Sequence, residues 1–537
     1  MTLDPAALQV LIRRLEGAAD EMGAVLRRAA FSPNIKERAD CSSALFTAEG
    51  EMLAQAEHIP VHLGSMPASV AAAIDAFGSG LGPGDHVVLN DPYAGGTHLN
   101  DITIVTPAWV EEQLVGWAAT RAHHADVGGA APGSLPADAT EIFEEGLRLP
   151  PVRLTEDIRA VVVANSRTPT ERAGDLDAQV GANVVGVQRL VALAGEPWDE
   201  VVSYGERRMR AALGALADGS WRFSDQMDSF GPDPDQQSPG TIVVEVTKEG
   251  TEITFDFTAT DDQRRGNVTA VEAVTVSAVA FAVRSAVDPT IPANGGALRP
   301  VHVLTRPGTI VAGRAPAAVG AGNVEVSQRV ADVCFGALAA AWPDRVAAAS
   351  QGTMNNVLMG GSTPEPWVYY ETIGGGQGGR PRRRGMSGVH TAMTNTSQRD
   401  YQSAAPVPGQ SGIHTCMTNT RNTPIEALER AFPLRVRRLR LRTGSGGAGE
   451  AAGGEGIERE IELLADATVS LIGERRVSQP WGLSGGGPGA VGETWLLPQG
   501  DESRAERLPD KCTIRLKARD VLRMLTPGGG GWGAASR

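Results

Sequence analysis

Two β-rich runs joined by a very short link restrict the folding of this chain more than any other feature. The runs are 102–110 and 114–123, and only Glu111-Glu112-Gln113 separates them. A link of this length predicts an antiparallel hairpin. With the turn centred on the link, residues pair where their numbers sum to 224, so Asp101 faces His123. Directly opposed residues share one face with Cβ atoms about 4.5–5.5 Å apart, so this carboxylate and this imidazole are expected to meet.

A second histidine precedes the hairpin. His98 lies three residues before Asp101, in a glycine-rich loop that can fold back toward the open end of the hairpin. One carboxylate and two imidazoles suit Zn²⁺, Mn²⁺ or Fe²⁺. Such a metal would lower the pKa of a bound water to about 7 and polarise a carbonyl. The same residues could instead form a hydrogen-bonded cluster that braces the loop, and their spacing leaves both interpretations open.

Five more polar side chains are candidates for the same site. Asp40 precedes a strand-like segment and could supply a fourth ligand, although its local sequence favours a turn or cap residue. His124 and Asp126 follow the hairpin and are expected to orient the ligands. His58 and His62 are four residues apart, but the proline between them argues against a helix, so we expect them at most to line the site.

Helical and strand patterns alternate irregularly along the chain, which predicts an α+β fold. Apolar residues at three- and four-residue spacing predict helices over 5–29, 64–77, 170–194, 198–216, 270–287 and 326–342. A length of 537 residues allows about three domains. A polar stretch at 220–240 and a strand-rich tail suggest the boundaries. We predict an N-terminal metal-binding domain at 1–219, a central α+β domain with glycine-rich loops at 220–433 and a strand-rich C-terminal domain at 434–537.

Charge and lysine content argue against several functions. The net charge is −14, so the chain lacks the electrostatic footprint of a protein that binds nucleic acid or anionic membranes. None of the four lysines stands in a Gly-Lys-Ser or Gly-Lys-Thr sequence, so there is no Walker A loop. The first residues lack a secretory signal pattern, and the longest apolar run is shorter than the about 20 residues that span a bilayer. We therefore expect a cytoplasmic protein.

One short segment occurs twice, 24 residues apart. The copies at 388–396 and 412–420 share the pattern His-Thr-x-Met-Thr-Asn-Thr. A solenoid needs at least three stacked repeats, so a local duplication is predicted.

Longer motifs run through nearly the whole chain. They lie at 37–42, 90–101, 123–129, 322–323, 327–329, 352–356, 371–376, 414–420, 422–424, 481–483 and 526–531. Together they resemble the hydantoinase B/5-oxoprolinase family, which includes the β subunit of ATP-dependent N-methylhydantoinase and subunits of acetone and acetophenone carboxylases. The copy of the repeat at 412–420 continues the family pattern, so the copy at 388–396 is expected to be the added one.

The resemblance implies a metal held by two aspartates and two histidines, which here are Asp40, His98, Asp101 and His123. It also implies a separate ATPase subunit of the hydantoinase A type, with an actin-like fold, which would bind ATP and Mg²⁺ in a hetero-oligomer. That partner would phosphorylate a ring amide, as in hydantoins and 5-oxoproline, and this chain would attack it with metal-bound hydroxide.

Within that reaction we expect Asp126 or His124 to carry the proton. Two alternatives stay open. In the first, the chain is a subunit of an ATP-dependent carboxylase of the acetone or acetophenone type. In the second, it is a non-catalytic scaffold of its ATPase partner. Neither the choice between lactam and ketone substrates nor the choice among divalent metals follows from the sequence.

Overall fold

The computed structural model describes residues 4–56, 59–381 and 405–535. His58 and the repeat copy at 388–396 therefore lie outside the described residues. Helices of the described ranges are α1 (Pro5–Ala29), α2 (Pro33–Lys36), α3 (Met66–Phe77), α4 (Glu156–Ala164), α5 (Pro169–Ala192), α6 (Trp198–Gly214), α7 (Glu272–Val287), α8 (Gly295–Leu298), α9 (Ser327–Ala341) and α10 (Ile425–Ala431). In these ranges no helix has the length and apolar character needed to cross a membrane.

The first helix forms where the apolar spacing predicts it. Asp4 caps α1, since its side chain accepts hydrogen bonds from the backbone N–H groups of Ala6 and Ala7. Leu15 and Met22 are fully buried on one side of the helix. The other predicted helices are also present, with ends that differ from the predicted ones by a few residues.

A six-stranded sheet contains the predicted hairpin. Its strands are β1 (Cys41–Thr47), β2 (Met52–Ala56), β3 (Val87–Leu89), β4 (Asp101–Val110), β5 (Gln113–His123) and β6 (Val152–Arg153), in the order β2-β1-β5-β4-β3-β6. The register of β4 and β5 places Asp101 opposite His123, as predicted. One irregularity, between Ala108 and Trp109, lies near the turn, away from this pair.

Helices cover both faces of this sheet. Successive residues of a strand point to opposite faces. Ala118 and Ala122 of β5 belong to the apolar cluster that includes residues of α1 and α5, whereas Trp117 and Ala119 pack in a cluster with Met66 and others of α3. The middle of the sheet is therefore buried on both sides, and its polar groups can meet a ligand only at the strand ends.

A second sheet and two helices form the centre of the largest apolar cluster. The sheet consists of β7 (Gly219–Met227), β8 (Gly240–Glu249), β9 (Glu252–Asp256) and β10 (Val301–Leu304). Phe281 of α7 packs edge-on against Phe335 of α9, with ring centroids 5.9 Å apart. A π-helical turn, Gly322–Val326, leads directly into α9. The polar stretch at 220–240 includes most of β7, an edge strand with alternating exposed and half-buried side chains.

Two further sheets complete the chain and give a mixed architecture that agrees with the predicted α+β class. Their strands are β11 (Asn356–Gly361), β12 (Trp367–Glu371), β13 (Leu434–Arg442), β14 (Gly456–Leu463), β15 (Ala467–Ile472), β16 (Glu493–Leu497), β17 (Glu506–Leu508), β18 (Lys511–Leu516) and β19 (Val521–Leu525). The strand orders are β12-β11-β15-β18 and β13-β14-β19-β16-β17. The first of these sheets joins strands from both sides of residue 434, and the division into three domains stays a prediction.

Candidate metal centre

The candidate site lies at the open end of the β4–β5 hairpin. Asp101 is the first residue of β4, and His123 is the last residue of β5. His123 Nδ1 lies 3.4 Å from Asp101 Oδ1, and both side chains are buried. The predicted meeting of this carboxylate and this imidazole is confirmed.

The loop before the hairpin brings His98 to the same carboxylate. The Asp101 N–H donates to the carbonyl oxygen of His98 at 3.1 Å, which closes a turn. Nδ1 of His98 lies 3.1 Å from Asp101 Oδ2, and its ring centroid is 5.0 Å from that of His123. One candidate ligand atom from each of the three residues lies within 4.8 Å of the others. The three predicted residues therefore form one cluster.

Asp40 reaches the cluster from the segment before β1. The preceding Ala39 has a left-handed backbone with φ of 57°, a conformation that costs a residue with a Cβ about 1–3 kcal/mol. The carbonyl oxygen of Asp40 accepts the backbone N–H of His123 at 3.0 Å, which extends the β1–β5 pairing by one bond. The Asp40 side chain is 4% exposed and lines one small cavity together with Asp101 and His123. The burial of Asp40 argues against a solvated turn, and its role as a fourth ligand stays a prediction.

His62 lines the cavity, as expected from the sequence, and it also contacts the Asp101 carboxylate. It ends a short 3₁₀ turn, Pro60–His62, so the argument against an α-helix was correct. Its Nε2 lies 3.2 Å from Asp101 Oδ2 and its Nδ1 lies 3.0 Å from Ser42 Oγ. The Thr97 hydroxyl also donates to Asp101 Oδ2, at 2.8 Å. His62 and Thr97 both precede Asp101 in the sequence and both hydrogen-bond to its carboxylate, and no local pattern indicates that role.

His124 and Asp126 form their hydrogen bonds outside this cluster. His124 Nε2 pairs with Gln179 Oε1 of α5 at 2.8 Å, because it points to the opposite face of the strand from His123. The Asp126 carboxylate accepts backbone N–H groups of a neighbouring loop and the Arg167 guanidinium at 2.9 Å. Their predicted role in proton transfer stays a prediction.

Residues from the centre of the chain form the opposite wall of the cavity. The Tyr370 ring stacks on His123 with centroids 4.7 Å apart and planes inclined by 23°. The Arg38 guanidinium lies 4.6 Å from the centroid of the same ring. The other lining residues of this wall are Asn323, Val324, Met354, Thr372, Thr418 and Thr420. All of them belong to or adjoin motifs of the family resemblance, which is the signal that could have identified them.

Burial and neighbouring charges set the protonation of the cluster. Burial alone would raise the pKa of Asp101, but the surrounding histidines outweigh it and hold that pKa well below its usual range. Burial lowers the pKa of His62 and of His123. Burial also raises the pKa of Asp40, against the attraction of His123 and Arg38. The lowered pKa of Asp101 favours its carboxylate form and the lowered pKa of His123 favours its neutral form, the forms in which these side chains bind metals.

Unpartnered nitrogen atoms show that these residues fit a divalent metal. In the part of the chain that the structure describes, Nε2 of His98 and Nε2 of His123 are buried without a hydrogen-bond partner. A buried polar atom left in this state costs about 1–3 kcal/mol, and a metal ion would offset that cost. Two imidazoles with one or two carboxylates suit Zn²⁺, Mn²⁺ or Fe²⁺.

Comparison with known proteins places these residues in a family. The family model described as Hydantoinase B/oxoprolinase matches residues 4–404 and 403–535. The two matches meet between the copies of the repeat. 5-oxoprolinase 1 of Arabidopsis thaliana is 35% identical over 99% of this chain, which spans 42% of the length of that relative. A putative B-type subunit of a D-/L-hydantoinase from a Pseudomonas species is 29% identical, and here the match covers 99% of this chain and 90% of the relative.

Two solved structures share the fold. The ATP-dependent caprolactamase of Pseudomonas jessenii is 27% identical with a TM-score of 0.86, over 99% of this chain and 92% of that one. Nucleotide-free acetone carboxylase has the same TM-score of 0.86 at 18% identity, over 99% of this chain and 76% of that one, and therefore shows a common fold alone. With a family model that covers almost every residue, the chain belongs to the hydantoinase B/oxoprolinase family.

Proposed function

We propose that this chain is the metal-dependent hydrolytic subunit of an ATP-dependent cyclic amidase. The observation that carries the proposal is the buried cluster of His98, Asp101 and His123, two of which line a cavity together with Asp40. Its relatives include a 5-oxoprolinase, a hydantoinase component and a caprolactamase. The substrates in these names are ring amides, so we assign the same class of substrate to this chain.

Four side chains would hold the metal, namely Asp40, His98, Asp101 and His123. A divalent ion in this position supplies Lewis-acid chemistry toward a carbonyl oxygen and a water molecule. The chain's own contribution is to fix the ligands, because Thr97 and His62 both hydrogen-bond to Asp101. Burial of the cluster also excludes bulk water, which strengthens every charge interaction within it.

The proposed reaction adds water across the ring C–N bond. The water oxygen bonds to the carbonyl carbon of the phosphorylated amide, the C–N bond breaks and a proton moves to the ring nitrogen, and a second water then releases the phosphoryl group as inorganic phosphate. Amide resonance opposes this attack, so the ring amide needs prior activation. We assign activation by ATP to a separate subunit of the hydantoinase A type with an actin-like fold, since this chain has no Walker A sequence. The complex would then be a hetero-oligomer.

Co-purification with that ATPase subunit tests the proposal. The complex should open hydantoin, 5-oxoproline or caprolactam rings with consumption of ATP, and neither of the two proteins should do so alone. Turnover of a ketone and bicarbonate in place of ring amides would assign the chain to the carboxylase type. Full activity of a complex that carries Asp101→Asn would assign this chain the role of a scaffold.

A further inference from the structure

The cavity beside the candidate metal ligands is lined by a buried amide whose oxygen has no hydrogen-bond partner among the described residues. Asn323 is 3% exposed and lines the same cavity as Asp40, Asp101 and His123. Among the described residues its Oδ1 has no hydrogen-bond partner. A buried acceptor without a donor is destabilising by itself, so its presence beside a candidate reaction centre points to a ligand that supplies the donor.

The backbone around Asn323 is fixed firmly enough to hold the side chain in this position. Asn323 belongs to the π-helical turn that precedes α9. This geometry is rare in proteins overall, but where it occurs it often lies at a functional site. Its N–H donates to the carbonyl oxygen of Val319 at 3.1 Å, and its own carbonyl oxygen accepts the Ser327 hydroxyl at 2.6 Å. In the same turn, Glu325 Oε1 accepts the Asn356 amide at 2.8 Å. The turn is therefore anchored on both sides of Asn323.

The size of the cavity limits what can occupy it. Its volume is about 10 Å³, which is close to the minimum for one water molecule. A buried water needs two to four polar partners. The cavity lining includes the amide of Asn323 and the hydroxyl groups of Thr418 and Thr420. The two hydroxyl oxygens lie 3.3 Å from each other. The cavity thus has room for one small hydrogen-bond donor such as a water molecule.

We infer that Asn323 orients the water molecule that attacks the ring amide. Its Oδ1 accepts one O–H of that water, so that an oxygen lone pair is directed toward the carbonyl carbon. Asn323 is a positioning residue in this scheme, and the inference rests on the proposed function. A misplaced reactant typically costs about 100-fold in rate, which sets the size of the expected effect.

Asn323→Leu tests the inference, since it keeps the number of side-chain heavy atoms and the branching at Cγ and removes the acceptor. In the complex with the ATPase subunit, kcat for a ring amide should fall about 100-fold while KM and the metal content stay near the wild-type values. Asn323→Asp, which keeps an acceptor, should retain more activity than the leucine variant. A matched control is Gln55→Leu, because Gln55 of β2 is also a buried amide without hydrogen bonds among the described residues but does not line the cavity.

A second readout does not depend on turnover. The metal-free Asn323→Leu chain should unfold at the same or a higher temperature than wild type, because an unused buried acceptor has been removed. A wild-type kcat in this variant, a loss confined to KM, a loss of metal or a marked fall in the unfolding temperature would each overturn the inference. If the wild-type complex opens no ring, the proposed function fails and the inference falls with it, whereas an active wild type with an equally active variant refutes the inference alone.

Discussion

The imidazole of His123 stacks on the ring of Tyr370, with centroids 4.7 Å apart. The Tyr370 hydroxyl donates to Asn356 Oδ1 at 2.9 Å, and the Asn356 amide donates to Glu325 at 2.8 Å. A candidate ligand of the N-terminal sheet is thereby held by residues more than 200 positions further along the chain. The site depends on packing between these regions and not on the hairpin alone.

Tyr370→Leu is expected to lower metal affinity about 10-fold, because His123 loses the flat surface that fixes its ring plane. Tyr370→Phe keeps the ring and should bind metal almost as well as wild type. Competition with a chromogenic chelator measures both variants. Equal affinities for wild type and the leucine variant would show that the stacking does not position His123.

His62→Ala is expected to weaken metal binding about 10–100-fold, since Asp101 loses a hydrogen-bond partner that orients its carboxylate. Because Thr97 also donates to Asp101, binding should weaken without disappearing. The same chelator assay gives the affinity. Complete loss of metal from His62→Ala would mean that His62 is itself a ligand.

The hairpin could be predicted from the sequence because its contacts are local. A short link fixes the register, and the register fixes that Asp101 meets His123. The same alternation places His124 on the other face of the strand, beside Gln179. The position of His124 next to His123 in the sequence therefore does not place its side chain in the cluster. His62, Tyr370 and Asn323 reach the site through long-range packing, which no spacing rule describes. Asp40 was ambiguous because its local sequence favours a turn or cap residue, and only the family resemblance indicates a ligand.

A buried ion pair joins Lys511 of β18 to Glu474, which lies just after the neighbouring strand β15, and it predicts a larger effect on stability than an exposed pair would have. Lys511 Nζ lies 2.6 Å from Glu474 Oε1, and both side chains are fully buried. Lys511→Met should reduce the free energy of unfolding by about 1–3 kcal/mol, because Glu474 loses this partner and keeps Arg329, at 3.1 Å, as its remaining ion-pair partner. Denaturant unfolding measures the change. Lys517→Met removes a pair with Asp466 in which both side chains are largely exposed, and it should cost at most about 1 kcal/mol.

Glu325 predicts a dependence of stability on pH. Burial, together with the charge of Glu474, raises the pKa of Glu325 to about 8. The folded state then holds a proton that the unfolded state releases above its ordinary pKa of about 4.5, so this residue makes stability fall as pH rises between these two values. Glu325→Gln keeps a neutral side chain of the same shape. Wild type should lose stability between pH 5 and pH 8, whereas the Gln variant does not titrate at this position. The unfolding free energy of the variant minus that of wild type should therefore increase over this range, and a difference that stays constant would contradict an elevated pKa of Glu325.

Asp40→Asn distinguishes a ligand from a turn residue. Asparagine keeps the volume of the side chain and loses the charge, so the variant should fold and assemble with the partner. As a ligand, Asp40 contributes a negatively charged oxygen donor. Loss of a residue that only orients a ligand typically lowers metal affinity about 10–100-fold, so loss of this ligand charge should lower it at least as much. Wild-type affinity and wild-type turnover in this variant would restrict the metal site to His98, Asp101 and His123.

The metal content of the chain tests the central claim most directly. Protein purified without chelators should contain about one divalent transition metal per chain by elemental analysis, and His98→Ala and Asp101→Ala should each lose it while remaining folded. Metal-free wild-type protein that supports full ring opening with its partner, or full metal occupancy in both variants, would contradict the assignment of this site.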